Sequence, residues 1–172
     1  MPTWNSRGLR GSTLEEFINR SNEKYVEQGL ALIQKIPTPI TPMKIDKEKR
    51  HITLAYFEQK STVDYIGVVQ GYPVCFDAKE CNTDTFPLQN IHPHQMEFMR
   101  RFEQQEGIAF LILYYSQRDY FYYLTFRTLE IFWRRMEAGG RKSFRFEELP
   151  DGFQIHSKNG IFVHYLEILQ KD

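Results

Sequence analysis

Two short apolar runs separated by a turn signal constrain this chain more than any other feature. Tyr65-Ile-Gly-Val-Val69 is apolar and β-branched, Gln70-Gly71 interrupts it, and Tyr72-Pro-Val-Cys-Phe-Asp-Ala-Lys79 resumes strand character. The two read as adjacent strands joined by a tight turn. Side chains alternate faces along a strand, so Asp77 and Lys79 share one face, about 7 Å apart, while Val74, Phe76 and Ala78 take the other and pack on a core. Asp64 stands at the mouth of the first strand. If it lies beside Asp77, two carboxylates and an ammonium converge, which suits a hard divalent cation and a phosphate. The competing reading is a structural ion pair on a solvated face, and the spacing of Asp64, Asp77 and Lys79 does not by itself choose.

A chain of 172 residues can bury a sizeable core as one domain, and a 15% aromatic share argues for a packed protein. Net charge is zero, with 22 Lys and Arg against 22 Asp and Glu, so a nucleic-acid surface must come from local clustering. Cys75 and Cys81 read as reduced thiols and have no partners at zinc spacing. The opening residues lack the apolar segment of a signal peptide, and no apolar run approaches the roughly 18 residues of a membrane helix. A soluble, cytoplasmic protein with no membrane partner is expected.

In chain order, residues 1–11 read as a mobile entry arm carrying Arg7 and Arg10. A helix is expected from Ser12 or Thr13, each followed three residues later by a Glu, and Gly29 should stop it. Leu30-Ala-Leu-Ile-Gln-Lys-Ile36 reads as a strand. Pro37, Pro39 and Pro42 exclude a central strand after it. The following segment to residue 57 reads as an extended two-stranded excursion whose tip holds Lys44, Lys47, Lys49 and Arg50. A helix over residues 91–106 puts Gln95 on an inward apolar stripe, and His92 and His94 read as helix-entry residues rather than metal ligands. Ile108-Ala-Phe-Leu-Ile-Leu-Tyr-Tyr115 is apolar throughout, as in a strand buried on both faces. Another strand over 120–126 and a helix over 128–137 follow. Five cationic residues between positions 134 and 145 form the densest basic cluster. Ser143 is expected to cap a short helix to residue 149, and a last helix spans 162–169.

The convergent carboxylates suit phosphodiester hydrolysis. Asp64 and Asp77 supply two metal-binding oxygens, Gln95 a possible amide oxygen, and the Ala78 carbonyl a backbone one. Lys79 either orients the attacking water or stabilises developing negative charge.

Ser61-Thr-Val-Asp-Tyr65, Phe76-Asp-Ala-Lys-Glu80, Phe86-Pro-Leu-Gln-Asn90 and His92-Pro-His-Gln95 closely resemble the RecU-type Holliday-junction resolvases. Arg10-Gly-Ser-Thr-Leu-Glu15, Lys35-Ile-Pro-Thr-Pro39, Ala55-Tyr-Phe57, Gly107-Ile108 and Gly140-Arg-Lys-Ser143 extend the resemblance, in order, over most of the chain. The resemblance implies an α/β fold: a restriction-endonuclease-like core with a mixed central sheet flanked by helices, and a protruding two-stranded stalk at about residues 37–56. It implies a single nuclease domain over 1–172, acting as a homodimer that nicks opposed strands of a four-way DNA junction in recombination and repair. Mg2+ is the implied cofactor, with Mn2+ as substitute. Thr62, Asp64, Asp77 and Gln95 stand where the family holds its metal, and Lys79 where it places the transition-state lysine. Glu15 stands where related resolvases carry a helix carboxylate near the metal. Close relatives often have Glu where this chain has Asp77. Arg7, Arg10, Lys44, Lys47, Lys49, Arg50, Arg141 and Lys142 are the expected DNA contacts. A recombinase or branch-migration helicase is a further implied partner. The alternatives are a junction- or recombinase-binding protein with weak catalysis and a duplex-specific nuclease on the same core.

Overall fold

A computed structural model describes residues 7–57 and 62–169, and for residues 7–12 the backbone alone. Helix α1 (Arg7–Glu27) opens the chain, earlier than the expected start at Ser12 or Thr13. Residues 7–11 are therefore helical rather than an arm, and the candidate capping residues lie inside the helix. Burial of Leu14, Ile18 and Tyr25 secures the downstream turns. Once those turns exist, extending the helix toward its N-terminus adds a hydrogen bond per residue without a new nucleation cost. Gly29, at φ 66°, takes the left-handed conformation that ends it.

Strand β1 (Ala31–Lys35) is followed by the excursion, built from β2 (Ile40–Asp46) and β3 (His51–Phe57). These two strands pair antiparallel with each other and form a sheet of their own. The register slips after Pro42, where the chain lacks an N–H to donate.

The main sheet adds β4 (Tyr65–Val69), β5 (Tyr72–Cys81), β7 (Ile108–Tyr115), β8 (Tyr120–Thr125) and β10 (Gln154–Ile155) in the order β1-β4-β5-β7-β8-β10. Only β5 and β7 run parallel, so the sheet is mixed. Between them run β6 (Thr85–Pro87) and helix α2 (Pro93–Gln104). Helix α2 and helix α3 (Phe126–Glu137) cover one face through Met96, Met99, Leu129 and Phe132. Helix α1 and the short α4 (Leu166–Leu169) cover the other, against Val74, Phe76, Phe110 and Tyr123. The apolar run of β7 lies between these layers, with Ala109 through Leu113 fully buried.

Two expected helices differ. Ser143–Arg145 is strand β9, paired with β6, and only a 3-10 turn follows it at Phe146–Glu148. Phe144 is drawn into the core, where it stacks on Phe86 and Phe132. The last helix contracts to four residues because the preceding backbone is bonded elsewhere. The Val163 N–H donates to Ser21 Oγ at 3.0 Å, and the His164 N–H to the His156 carbonyl at 3.3 Å. Among the described residues no helix is long and apolar enough to cross a membrane.

Candidate active site

The β4–β5 turn aligns the site. Gln70 and Gly71 both have positive φ, 49° and 92°, as a two-residue hairpin turn with the sheet's own twist requires. That turn sets Tyr65 opposite Phe76, so the residue just before β4 meets the residue just after Phe76. Asp64 and Asp77 come together as a result. The Asp64 N–H donates to Asp77 Oδ1 at 2.7 Å, and the Ala78 N–H donates to Asp64 Oδ2 at 3.1 Å. The Ile36 N–H closes on the Asp64 carbonyl at 2.7 Å and fixes the approach to β4 from the β1 side.

The sequence left open a solvated face for Asp77, and the structure excludes it. Asp77 is fully buried, because α2 and α3 cover the face of β5 that it shares with Cys75. A carboxylate there needs hydrogen-bond donors. The Asp64 N–H serves Oδ1. Lys79 Nζ, 3.1 Å away, and Gln95 Nε2, 2.5 Å away, serve Oδ2. Gln95 projects from the first turn of α2 and is itself buried. It meets Asp77 through its amide nitrogen. Its amide oxygen turns away and accepts the His92 N–H at 3.0 Å.

The charge of Asp77 opposes the ionisation of Asp64. Burial, chiefly, and the charge of Asp77 push the Asp64 carboxyl up to about 6, against the pull of the Ala78 N–H and Lys79. Glu15 on α1 adds to the rise, which puts its charge within electrostatic reach of Asp64. Glu15 does not join the hydrogen-bond network: its carboxylate pairs with Lys35 of β1. Thr62, two residues ahead of Asp64, is half-buried and takes no part in the bonds that join Asp64, Asp77, Lys79 and Gln95.

The donor set fits a hard cation. Among the described residues no group of three His, Cys, Asp or Glu side chains is arranged to hold a metal. Two adjacent carboxylates are nonetheless a set that Mg2+ takes, since it keeps several of its waters and binds through one or two carboxylates. A thiol nucleophile has no place here, because burial first and then Asp77 hold the Cys75 thiol far above its usual range.

The expected DNA contacts divide. Lys44, Lys47, Lys49 and Arg50 lie exposed along β2 and its turn, and none forms an ion pair among the described residues. The basic cluster between 134 and 145 is largely neutralised: Arg134 pairs with Glu130, and Arg135 and Arg141 both pair with Glu148. Lys142 remains an exposed cation. The side chains of Arg7 and Arg10 lie outside the described residues. Sequence reasoning missed Lys35 as the partner of Glu15 and the His92 N–H as the partner of Gln95. The second carries a signal, since His92 and Gln95 have the spacing of a capping box with His in place of Ser or Thr.

The family model Recombination protein U, RecU, matches residues 9–171. Proteins named Holliday junction resolvase RecU are similar along nearly the whole chain. The one from Limosilactobacillus reuteri is 41% identical over 167 residues, 94% of this chain and 82% of that protein. Those of Levilactobacillus brevis and Staphylococcus aureus are 42% and 40% identical over 169 residues, 95% of this chain and 84% and 81% of theirs. The solved structure of Hjc, a Holliday junction resolvase from Archaeoglobus fulgidus, covers 69% of this chain and 74% of its own, with a TM-score of 0.38 at 10% identity. On its family model and its curated relatives, this chain belongs to the RecU family.

Proposed function

We propose that this chain is a Holliday junction resolvase, a single-domain, metal-dependent endonuclease that works in the cytoplasm as a homodimer and nicks opposed strands of a four-way DNA junction. The observation that carries the reading is the meeting of Asp64, Asp77 and Lys79 at the β4–β5 hairpin, with Asp77 fully buried and bonded at both oxygens. Relatives at about 40% identity bear the resolvase name.

Asp64 and Asp77 would hold the divalent cation, with Thr62 and the Ala78 carbonyl as further oxygens. Mg2+, or Mn2+ in its place, suits this oxygen set. When bound, such a cation polarises a phosphoryl oxygen and lowers the pKa of water beside it. Asp77 keeps Lys79 close, and the lysine retains 20% exposure, enough to present its ammonium to a phosphate entering the site. A fixed cation there stabilises negative charge that grows on the phosphate in the transition state. Lys44, Lys47, Lys49, Arg50 and Lys142 would supply phosphate contacts away from the chemistry, Arg7 and Arg10 would add to them by charge, and Arg141 would join them only on leaving Glu148. A recombinase or branch-migration helicase is the kind of protein it would work beside.

The test is cleavage of a synthetic four-way junction and of linear duplex of the same sequence, with Mg2+ or Mn2+. Wild type should nick the junction symmetrically. Lys79→Ala and Asp77→Asn should lose on the order of 10²–10³-fold or more in rate while still binding the junction without metal. Undiminished cutting by Lys79→Ala sinks the assignment of Lys79. Equal cutting of the linear duplex replaces junction selectivity with a duplex nuclease.

A further inference from the structure

The amide of Gln95 has only one orientation open to it. On one side is the His92 N–H, which can only donate, 3.0 Å from Gln95 Oε1. On the other is the Asp77 carboxyl group, whose Oδ2 accepts from Gln95 Nε2 at 2.5 Å. Turning the amide over would set an NH2 against an N–H and an oxygen against a carboxylate. The backbone completes the clasp: the Gln95 N–H donates to the His92 carbonyl at 3.0 Å. His92 and Gln95 thus bond reciprocally across the first turn of α2. That turn is anchored by Ile91, Met96 and Met99, all fully or nearly fully buried. Asp77 carries no exposed surface, so its orientation is set entirely by what donates to it.

We infer that Gln95 is a positioning residue: its amide nitrogen holds Asp77 Oδ2 toward the cation site, its amide oxygen is committed to the His92 N–H, and it is not itself a metal ligand. The inference rests on the metal-centre reading above. Oδ2 is shared by Gln95 and Lys79, so the same contact that aims the carboxylate also limits how far it can swing toward the lysine. Partners of this kind around metal-binding carboxylates typically govern metal affinity by about 10–100-fold without touching the ion.

His92 provides a substitution that acts on the main-chain donor alone. Its φ of −81° and ψ of 147° lie close to what proline adopts, and Ile91 before it is extended, as a residue preceding proline must be. His92→Pro deletes the N–H, and His92→Ala removes the same ring but keeps the N–H. Mn2+ affinity is measured by calorimetry on the folded, DNA-free proteins. Wild type and His92→Ala should bind alike, and His92→Pro about tenfold more weakly, because a released amide no longer holds Asp77. A purely structural cap would move thermal stability and leave Mn2+ affinity of the folded protein unchanged. A ligand role makes the opposite prediction, since losing the competing N–H would leave Mn2+ binding equal or tighter. Either result overturns the inference alone. A wild type that binds no Mn2+ overturns the metal-centre reading and this inference together. Should His92→Pro not fold, the anomalous Mn2+ signal in wild-type crystals decides. Gln95 Oε1 should stay on the His92 N–H, and an Oε1 to metal distance of about 2.1 Å overturns the assignment.

Discussion

Hairpins β4–β5 and β2–β3 lie next to each other in the chain and solve opposite problems. The first buries Val74, Cys75, Phe76 and Asp77 completely between two helical layers. The second leaves Met43, Ile45, Ile52, Leu54 and Phe57 exposed, and among the described residues its strands pair only with each other. In the first, the core supplies rigidity, and a buried carboxylate can be held by three donors that would compete with water at the surface. In the second, little beyond its own ladder holds the backbone, and an isolated two-stranded hairpin is marginal in water. Contiguous exposed apolar surface rimmed by charge usually marks a contact with another molecule. The proposed chemistry is placed where water is excluded, and the proposed contact surface where it is not.

Removing the weaker hairpin gives the largest test of this contrast. A chain with residues 40–57 replaced by a short Gly-Ser linker should keep its Mn2+ affinity, because no donor to Asp64 or Asp77 lies in that segment. Junction cleavage should fall on the order of 10²-fold, the scale of losing substrate placement without losing the reacting groups. Full junction cutting by this variant would remove the hairpin from the mechanism, and loss of Mn2+ binding would show that the two hairpins are not independent.

A smaller effect sharpens the other side. The Asp64 carboxyl sits at about 6 in the folded chain, above its ordinary 3.8. Between those values the folded state binds more protons than the unfolded one, so the contribution of Asp64 to stability falls as pH rises from about 4 to about 6 and stays low above that. Without metal, Asp64→Asn should therefore stabilise the protein at pH 8, by about 1–3 kcal/mol, and have little effect at pH 4. Urea unfolding in a chelator at both pH values measures this. Equal stability of the two chains at pH 8 would mean that the carboxylates are not in conflict.

The smallest expected effect is at the tip. Lys47→Gln or Lys49→Gln should weaken junction binding evenly across sequences and reduce the slope of log affinity against log salt by about 1 each. An unchanged slope would place those lysines off the phosphates.

Much of the sheet is legible in the sequence because its signals are local. The Gln70-Gly71 turn, the apolar run of β7 and the prolines after Ile36 each act over a few residues, and each leaves its pattern in the chain. The start of α1, the short α4 and strand β9 are not legible. They depend on distant partners: Leu14 and Ile18 in the core, Ser21 Oγ on the Val163 N–H, and Phe86 against Phe144. The ion pairing of the basic cluster is not legible for the same reason. Its arginines are close in sequence, but Glu130 and Glu148 neutralise three of them, and only the fold decides where those carboxylates lie.

The sequence by itself determined that Asp77 and Lys79 share a face and that a two-residue turn joins their strand to the one that follows Asp64, while the tertiary structure brought Asp64 onto Asp77. Strand alternation and turn geometry require nothing beyond the residues concerned. The tertiary structure decided that Asp77 is fully buried, that Asp64 is pushed toward neutrality beside it, and which way the amide of Gln95 faces. Desolvation and the choice of hydrogen-bond partner depend on α2 closing over β5, and that packing joins residues eighteen positions apart through a single amide.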